Sequence, residues 1–135
     1  MNLKALFIHV ASYISRLIYN MTHDCIFCKI VSGEARATIV YRDDQVTAFR
    51  DANPVAPTHI LIVPHRHIDS VGVLEPEDEP LMGHIFTVGR KLAEEQGIAK
   101  GGYRMITNTG QDGGQTVFHL HVHLIGGQRM KYPMG

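Results

Sequence analysis

Two things are nearly missing from this chain: cysteine and net charge. Only Cys25 and Cys28 occur, three apart, which excludes the multi-bridge framework of a small secreted domain and points to a reducing compartment. Thirteen basic and thirteen acidic side chains cancel, so no strong field of the whole chain recruits nucleic acid or an anionic membrane, and a small-molecule partner is favoured. The first twenty residues have no acidic side chain, and Lys4, His9, Ser12, Ser15 and Arg16 interrupt them too often for a bilayer span. They also lack the small-residue cleavage site of a secretory signal. What remains is an apolar pattern at Leu3, Phe7, Val10, Ile14, Leu17 and Ile18, the spacing of an amphipathic helix. We expect residues 1–20 to be a helical extension, packed on the domain or on a partner, and residues 21–135 to be one domain. A cytoplasmic location is expected, with organelle targeting through residues 1–20 as the alternative.

The rest has enough apolar content, within 44% hydrophobic overall, for one core in 135 residues. Cys25 to Ile30 reads as a short helix ending near Gly33. Ala37 to Arg42 and Gln45 to Arg50 alternate around an Asp43-Asp44 turn, and Thr58 to Val63 is an apolar run bounded by prolines, which together predict an antiparallel meander. The acidic stretch Glu75 to Glu79 opens a long helix with Leu81, Ile85, Val88, Leu92 and Ala93 on its buried face and Gly97 past its end. Gly102 to Asn108 is a fourth strand. Strands and helices do not alternate regularly, so the class is α+β rather than a parallel α/β sheet.

The fifth strand carries the chemistry. In Thr116 to Ile125, histidines 119, 121 and 123 fall on every second position of an apolar run. Period two puts Val117, His119, His121, His123 and Ile125 on one face and Phe118, Leu120, Val122 and Leu124 on the other, which is expected to be core. A lone histidine is commonly a satisfied core residue. Three at this spacing, after the glycine-rich loop Gly110 to Gln115, indicate either a metal cluster or a phosphorus site with an imidazole nucleophile. Such a nucleophile must be neutral, with one nitrogen free and the other giving its proton to a fixed acceptor. The Cys25-x-x-Cys28 pair is half of a tetrahedral zinc set that histidines can complete; two core cysteines are the alternative. Asp51, before Asn53-Pro54, suits a turn cap, Thr116 is a good β-former, and Ile26, Phe27, Ile30 and Phe49 taken alone are core.

The run His119-Leu120-His121-Val122-His123-Leu124, with Gly126-Gly127-Gln128-Arg129-Met130 behind it and Asp51, Pro57-Thr58-His59, Pro64, Gly102-Tyr103-Arg104, Asn108 and Asp112-Gly113-Gly114-Gln115 ahead, resembles the Hint branch of the histidine-triad superfamily of nucleotide hydrolases and transferases. The likeness covers roughly Asp24 to Gly135. It implies a HIT-like fold: a five-stranded antiparallel sheet with one long helix and a short N-terminal helix, paired as a homodimer through the long helix and the Gly102–Asn108 strand. It further implies that His121 is the nucleophile forming a nucleotidyl-histidine, flanked by His119 and assisted by His123 and His59. Asn108, Thr116 and the Gly114-Gln115 turn would bond phosphoryl oxygens or the leaving group, with threonine standing at 116 where branch members carry serine. Asp51 would hold the ribose, and Ile26, Phe27, Ile30 and Phe49 the purine of AMP, GMP or a phosphoramidate. His67 and His119 would complete a structural zinc site with Cys25 and Cys28, while catalysis needs no cofactor. His9, His23, His65 and His84 are expected to be solvated. Lys131 to Gly135 would present Tyr132 to the partner's site. The implied activity is hydrolysis of purine nucleoside 5′-phosphoramidates. The alternatives are a diadenosine polyphosphate hydrolase, a nucleotidyltransferase, or a nucleotide-binding adaptor without turnover.

Overall fold

The structure, a computed structural model, describes residues 3–131, apart from the side chains of residues 15–23; Tyr132 and the tail role expected for it lie outside the described residues. Helix α1 (Leu3–His23) and helix α2 (Ile26–Ser32) precede strands β1 (Ile39–Arg42), β2 (Val46–Arg50) and β3 (Thr58–Pro64); helix α3 (Glu79–Glu95) follows, then β4 (Tyr103–Ile106) and β5 (Val122–Gly126). The strands form one sheet in the order β1-β2-β3-β5-β4. Every neighbouring pair is antiparallel. The α+β class and the five-stranded sheet are therefore as expected.

Register assigns the two faces. Ala48, Ile62 and Val122 are aligned across three strands, as are Ile60, Leu124 and Met105, and this face packs on Ile85, Val88, Leu92 and Ala93 of α3. Each such aliphatic side chain, withdrawn from water, is worth about 1.5–3 kcal/mol. The opposite face carries Phe49, Leu61 and Val63, covered by Phe27 and Ile30 of α2. Towards β5 and β4 that face also carries His59, His123, Ile125, Arg104 and Ile106, where α2 no longer reaches. This uncovered part of the sheet holds the candidate site.

Local chemistry sets the short elements. Cys25 caps α2, its Sγ accepting from the Cys28 N–H at 3.4 Å, and Gly33 ends it with φ 84°, a left-handed conformation that glycine takes without strain. Glu75 to Asp78 forms a capped 3-10 turn rather than the first turn of the long helix, so α3 starts at Glu79.

Three expectations need correction. The histidine run is a strand only from Val122 onward: β3 ends at Pro64, which has no N–H for a ladder, and Leu120 instead donates to the Ile68 carbonyl at 2.6 Å. Phe118, expected in the core, is consequently 55% exposed. Of the two packings expected for residues 1–20, on the domain or on a partner, the first is absent over Leu3 to Ile14, where every residue is exposed. Nor are His65 and His84 simply solvated. His65 pairs with the Thr47 hydroxyl at 2.8 Å and His84 with Asp43 at 2.6 Å; His9 is exposed and bonded to the Ala5 carbonyl, and the His23 side chain is outside the described set.

Candidate active site and metal centre

His121 lies one residue before β5, buried, with its Nδ1 2.7 Å from the carbonyl oxygen of His119. A carbonyl only accepts, so Nδ1 carries the proton and the Nε2 lone pair is left for chemistry. The edge of Phe27 lies against the imidazole, ring centroids 5.0 Å apart.

A second chain of bonds orients the neighbouring imidazole. The Val55 N–H donates to His59 Nδ1 at 3.1 Å, which places the His59 proton on Nε2; that nitrogen is 2.9 Å from His123 Nδ1 and 3.3 Å from Asp51 Oδ2. His123 Nδ1 therefore accepts, and its own proton sits on Nε2. The result is a polarised relay from a backbone amide to a His123 N–H donor, beside the His121 ring at 5.0 Å. Burial first, then the neighbouring His121 and His59, pushes His123 down to about 4. Burial also lowers His59, against the opposing pull of Asp51. Both imidazoles are thus neutral at pH 7. Asp51, His59 and His123 are close enough to hold a cation, but His59 could ligate through Nε2 only by moving its proton to Nδ1, which the Val55 N–H occupies, so the geometry favours proton relay over ligation. Asp51 also caps its own turn, accepting from the Asn53 N–H at 2.8 Å.

The glycine-rich loop is braced by Gln115 rather than presenting it. The buried Gln115 amide accepts from the Gly110 N–H and donates to the Asp69 and Val117 carbonyls. Gly113 has no room for a side chain, since a Cβ there would stand 2.3 Å from the Thr109 carbonyl oxygen. Gly114 and Thr116 are exposed on the way to His119. Phe27, Ile30 and Phe49 are buried against one another, leaving Ile26 as the exposed apolar residue of that group. On the other side of His123, His59, Asn108, Arg104, Ile106 and Ile125 border an open pocket of about 550 Å³.

The remaining histidine of the run faces elsewhere. His119 Nδ1 is 3.4 Å from Cys25 Sγ and 3.5 Å from Cys28 Sγ, and Cys28 Sγ is 3.3 Å from His67 Nδ1. The outer nitrogens are held too: His119 Nε2 donates to the Pro64 carbonyl at 2.8 Å, and His67 Nε2 meets Asp69 Oδ1 at 2.9 Å. Four donor atoms converge within 4.8 Å, a set able to hold a metal ion. Without a cation, burial and then Cys25 push the Cys28 thiol up to about 12, and burial pulls His119 down to about 4.

Of the expected site residues, His59, His121, His123, Asp51 and Asn108 gather at the open sheet face, and Cys25, Cys28, His67 and His119 form a separate cluster. The sequence reasoning missed the Val55 amide and Asp69. The His67-x-Asp69 spacing was a usable signal for the second, whereas a backbone amide carries none.

Residues 24–133 match the family described as scavenger mRNA decapping enzyme C-term binding. The chain is 51% identical to the purine nucleoside phosphoramidase of Escherichia coli (strain K12) over 108 residues, which are 80% of this chain and 91% of that protein. Among solved structures, a HIT family hydrolase from Legionella pneumophila Philadelphia 1 superposes with TM-score 0.80 at 44% identity, covering 82% of this chain and 99% of that one. A histidine triad protein from Clostridium difficile gives TM-score 0.80 at 48% identity, over 82% and 96% of the two chains.

Proposed function

This chain belongs to the histidine-triad superfamily, and from that premise we propose that it hydrolyses purine nucleoside 5′-phosphoramidates through a nucleotidyl-histidine on His121. The observation that carries the reading is the pairing of tautomers: His121 with a free Nε2, beside His123 with a protonated one. The His121 Nε2 lone pair attacks phosphorus and the P–N bond breaks, the leaving nitrogen taking up a proton, for which the Thr116 hydroxyl is the proposed donor. Because Nδ1 keeps its proton on the His119 carbonyl, the nucleotidylated ring is cationic and leaves readily when water attacks the same phosphorus, the water giving one proton back to the Thr116 oxygen. The products are the nucleoside monophosphate and the amine. His123 Nε2–H, held by His59, would donate to a phosphoryl oxygen, with Asn108 adding a donor; the Gly114 and Gln115 N–H groups, expected to help, are instead spent on the Gln111 and Gly110 carbonyls at 3.0 Å each. Asp51 would take the ribose hydroxyls, and the Ile26, Phe27, Ile30 and Phe49 wall the base of AMP or GMP.

Zinc is the proposed occupant of the cysteine–histidine cluster. Bonds of about 2.3 Å to sulfur and about 2.0 Å to nitrogen at tetrahedral angles put those atoms about 3.5 Å apart, which agrees with the 3.3–3.5 Å spacings here. Both histidines would bind through Nδ1 with Nε2 anchored, the outer bonding usual for metal-ligating imidazoles. A closed four-ligand set supplies folding free energy rather than a reactive water, so His121 chemistry stands apart from it. We further propose a family domain over residues 21–135 after the 1–20 extension. A homodimer would pair through α3 and β4, supported by β4 being a half-buried edge strand and by the exposed Phe86 of α3. A cytoplasmic setting is supported by two free cysteines; among the described residues no helix is long and apolar enough to cross a membrane.

The test is a direct comparison of kcat/KM for adenosine 5′-phosphoramidate and for a diadenosine polyphosphate. The phosphoramidate should be preferred by about 10²-fold or more. Equal or reversed preference would replace this reading with the polyphosphate hydrolase, and binding without turnover of either would replace it with the adaptor.

A further inference from the structure

Helix α1 has no part in the chemistry above. It runs from Leu3 to His23, ahead of the residues that match the family, and its apolar side chains face solvent: Leu3 and Phe7 are both 74% exposed, and Leu6, Val10, Tyr13 and Ile14 are exposed as well. At 100° per residue those six positions fall within an arc of about 120°, and the sequence continues the stripe with Leu17 and Ile18. Among the described side chains Lys4, His9 and Ser12 occupy the remaining circumference, with Ile8 the one large apolar residue among them, and the sequence adds Arg16 and Tyr19 to that side. A surface helix of this kind gains most of its stability from what its apolar face meets. It does not use the sheet for this: α3 covers one face and α2 part of the other, and Leu3 to Ile14 lie on neither, every one of them exposed.

We propose that α1 is an interfacial anchor that lies on an anionic phospholipid surface, its Leu3-Phe7-Val10-Ile14 stripe entering the headgroup boundary. Charge chooses this occupant over a second copy of the helix. The thirteen acidic residues of the chain all lie outside Leu3–His23, which carries Lys4 and Arg16. Two such helices would bring like charges together, with no opposite charges to set their register. An anionic surface is the complementary partner. The stripe is also broader than the two-position seam of a paired helix, and Phe7 and Tyr13 are of the ring type that settles at a membrane interface. The neutrality of the whole chain conceals this asymmetry: α1 is basic and the catalytic domain correspondingly acidic. The helix lies on the surface and does not span it. Turnover would thereby be confined to substrates reaching a membrane face.

The experiment is co-sedimentation of the full-length protein with vesicles of phosphatidylcholine alone or mixed with phosphatidylglycerol. The protein should sediment with the anionic vesicles at low salt and be released as salt rises. Phe7→Glu combined with Ile14→Glu should weaken that binding by about tenfold or more, while phosphoramidate turnover stays unchanged and shows that the domain is folded. Lys4→Gln combined with Arg16→Gln should remove the preference for anionic lipid. The proposal is overturned if the full-length protein stays in the supernatant, if it binds both vesicle types equally, or if the double glutamate variant binds as well as the parent. An assembly in solution that the double glutamate variant loses, without vesicle binding, would make a second copy the occupant instead.

Discussion

His119 and His121 are two residues apart, and each gives one ring proton to a backbone carbonyl, yet they do opposite things. His119 spends Nε2 on the Pro64 carbonyl and turns Nδ1 to the sulfurs of Cys25 and Cys28; His121 spends Nδ1 on the His119 carbonyl and keeps Nε2. Which nitrogen the backbone captures decides whether an imidazole is a metal ligand or a nucleophile. The His119 carbonyl joins the two, since the peptide that carries the proposed ligand ring also accepts the proton of the proposed nucleophile. A histidine count cannot separate these roles. The chain path can, because leaving the ladder at Pro64 sends His119 towards α2 while His121 stays at the sheet face.

The comparison breaks hardest at His121. His121→Asn removes the nucleophile and should lower kcat by about 10⁴-fold or more, as losses of a covalent nucleophile do, with affinity for the nucleotide product little changed. Single-turnover assays with calorimetric AMP binding would check this, and activity within about tenfold of the parent would refute the assignment. The opposite break is Cys28→Ser. With zinc in the cluster as proposed, about one per chain, it should lose that metal and lower Tm by about 10 °C or more, because structural metal contributes folding free energy. Metal analysis and thermal melts with and without a chelator read it out. A metal-free protein with an unchanged melt would return both cysteines to the core.

His59 sharpens the comparison, because it orients His123 while also lying 3.3 Å from Asp51. His59→Ala should cut kcat by about 10²-fold with KM nearly constant. His59→Gln, which can accept from Val55 with its carbonyl and donate with its amide, should recover part of the loss. If alanine and glutamine behave alike, His59 is packing rather than relay. The smallest effect is on stability against pH. His123 is held at about 4, against an ordinary 6.5, by burial and by the facing His121 and His59, with Asp51 opposing. Its unfolded form therefore takes up a proton first as pH falls. Its contribution is complete above 6.5 and erodes as pH drops towards 4. Denaturant melts across that range should show His123→Asn flattening the dependence. An unchanged slope would show that His123 is not held neutral by the fold.

The legible parts of this fold were those with a local cause. The α+β class, the meander, the face of α3 from Ile85 to Ala93 and the stop at Gly33 follow from periodicity and caps that neighbouring residues supply. Phe118 was misplaced because the period-two pattern continues past the point where Pro64 ends the ladder, and only the partner strand determines where pairing stops. Gln115 reads as a loop residue facing substrate, yet its amide braces the loop through three backbone partners, one of them at Asp69, far away in the chain. The Val55 amide that sets the His59 tautomer has no side chain by which it could have been singled out.

By itself, then, the sequence determined which side chains are available for chemistry: three histidines at alternate positions, a fourth beside Pro57-Thr58, two cysteines three apart, and an acid-free amphipathic start. These are properties of spacing and type, which no fold can change. Only the tertiary structure decided which nitrogen of each imidazole carries the proton, because that depends on the acceptors and donors the folded backbone presents: the Pro64 carbonyl for His119, the His119 carbonyl for His121, and the Val55 amide acting through His59 for His123. It also decided that α1 is exposed from Leu3 to Ile14, since a stripe is buried only where the rest of the chain places an apolar face against it.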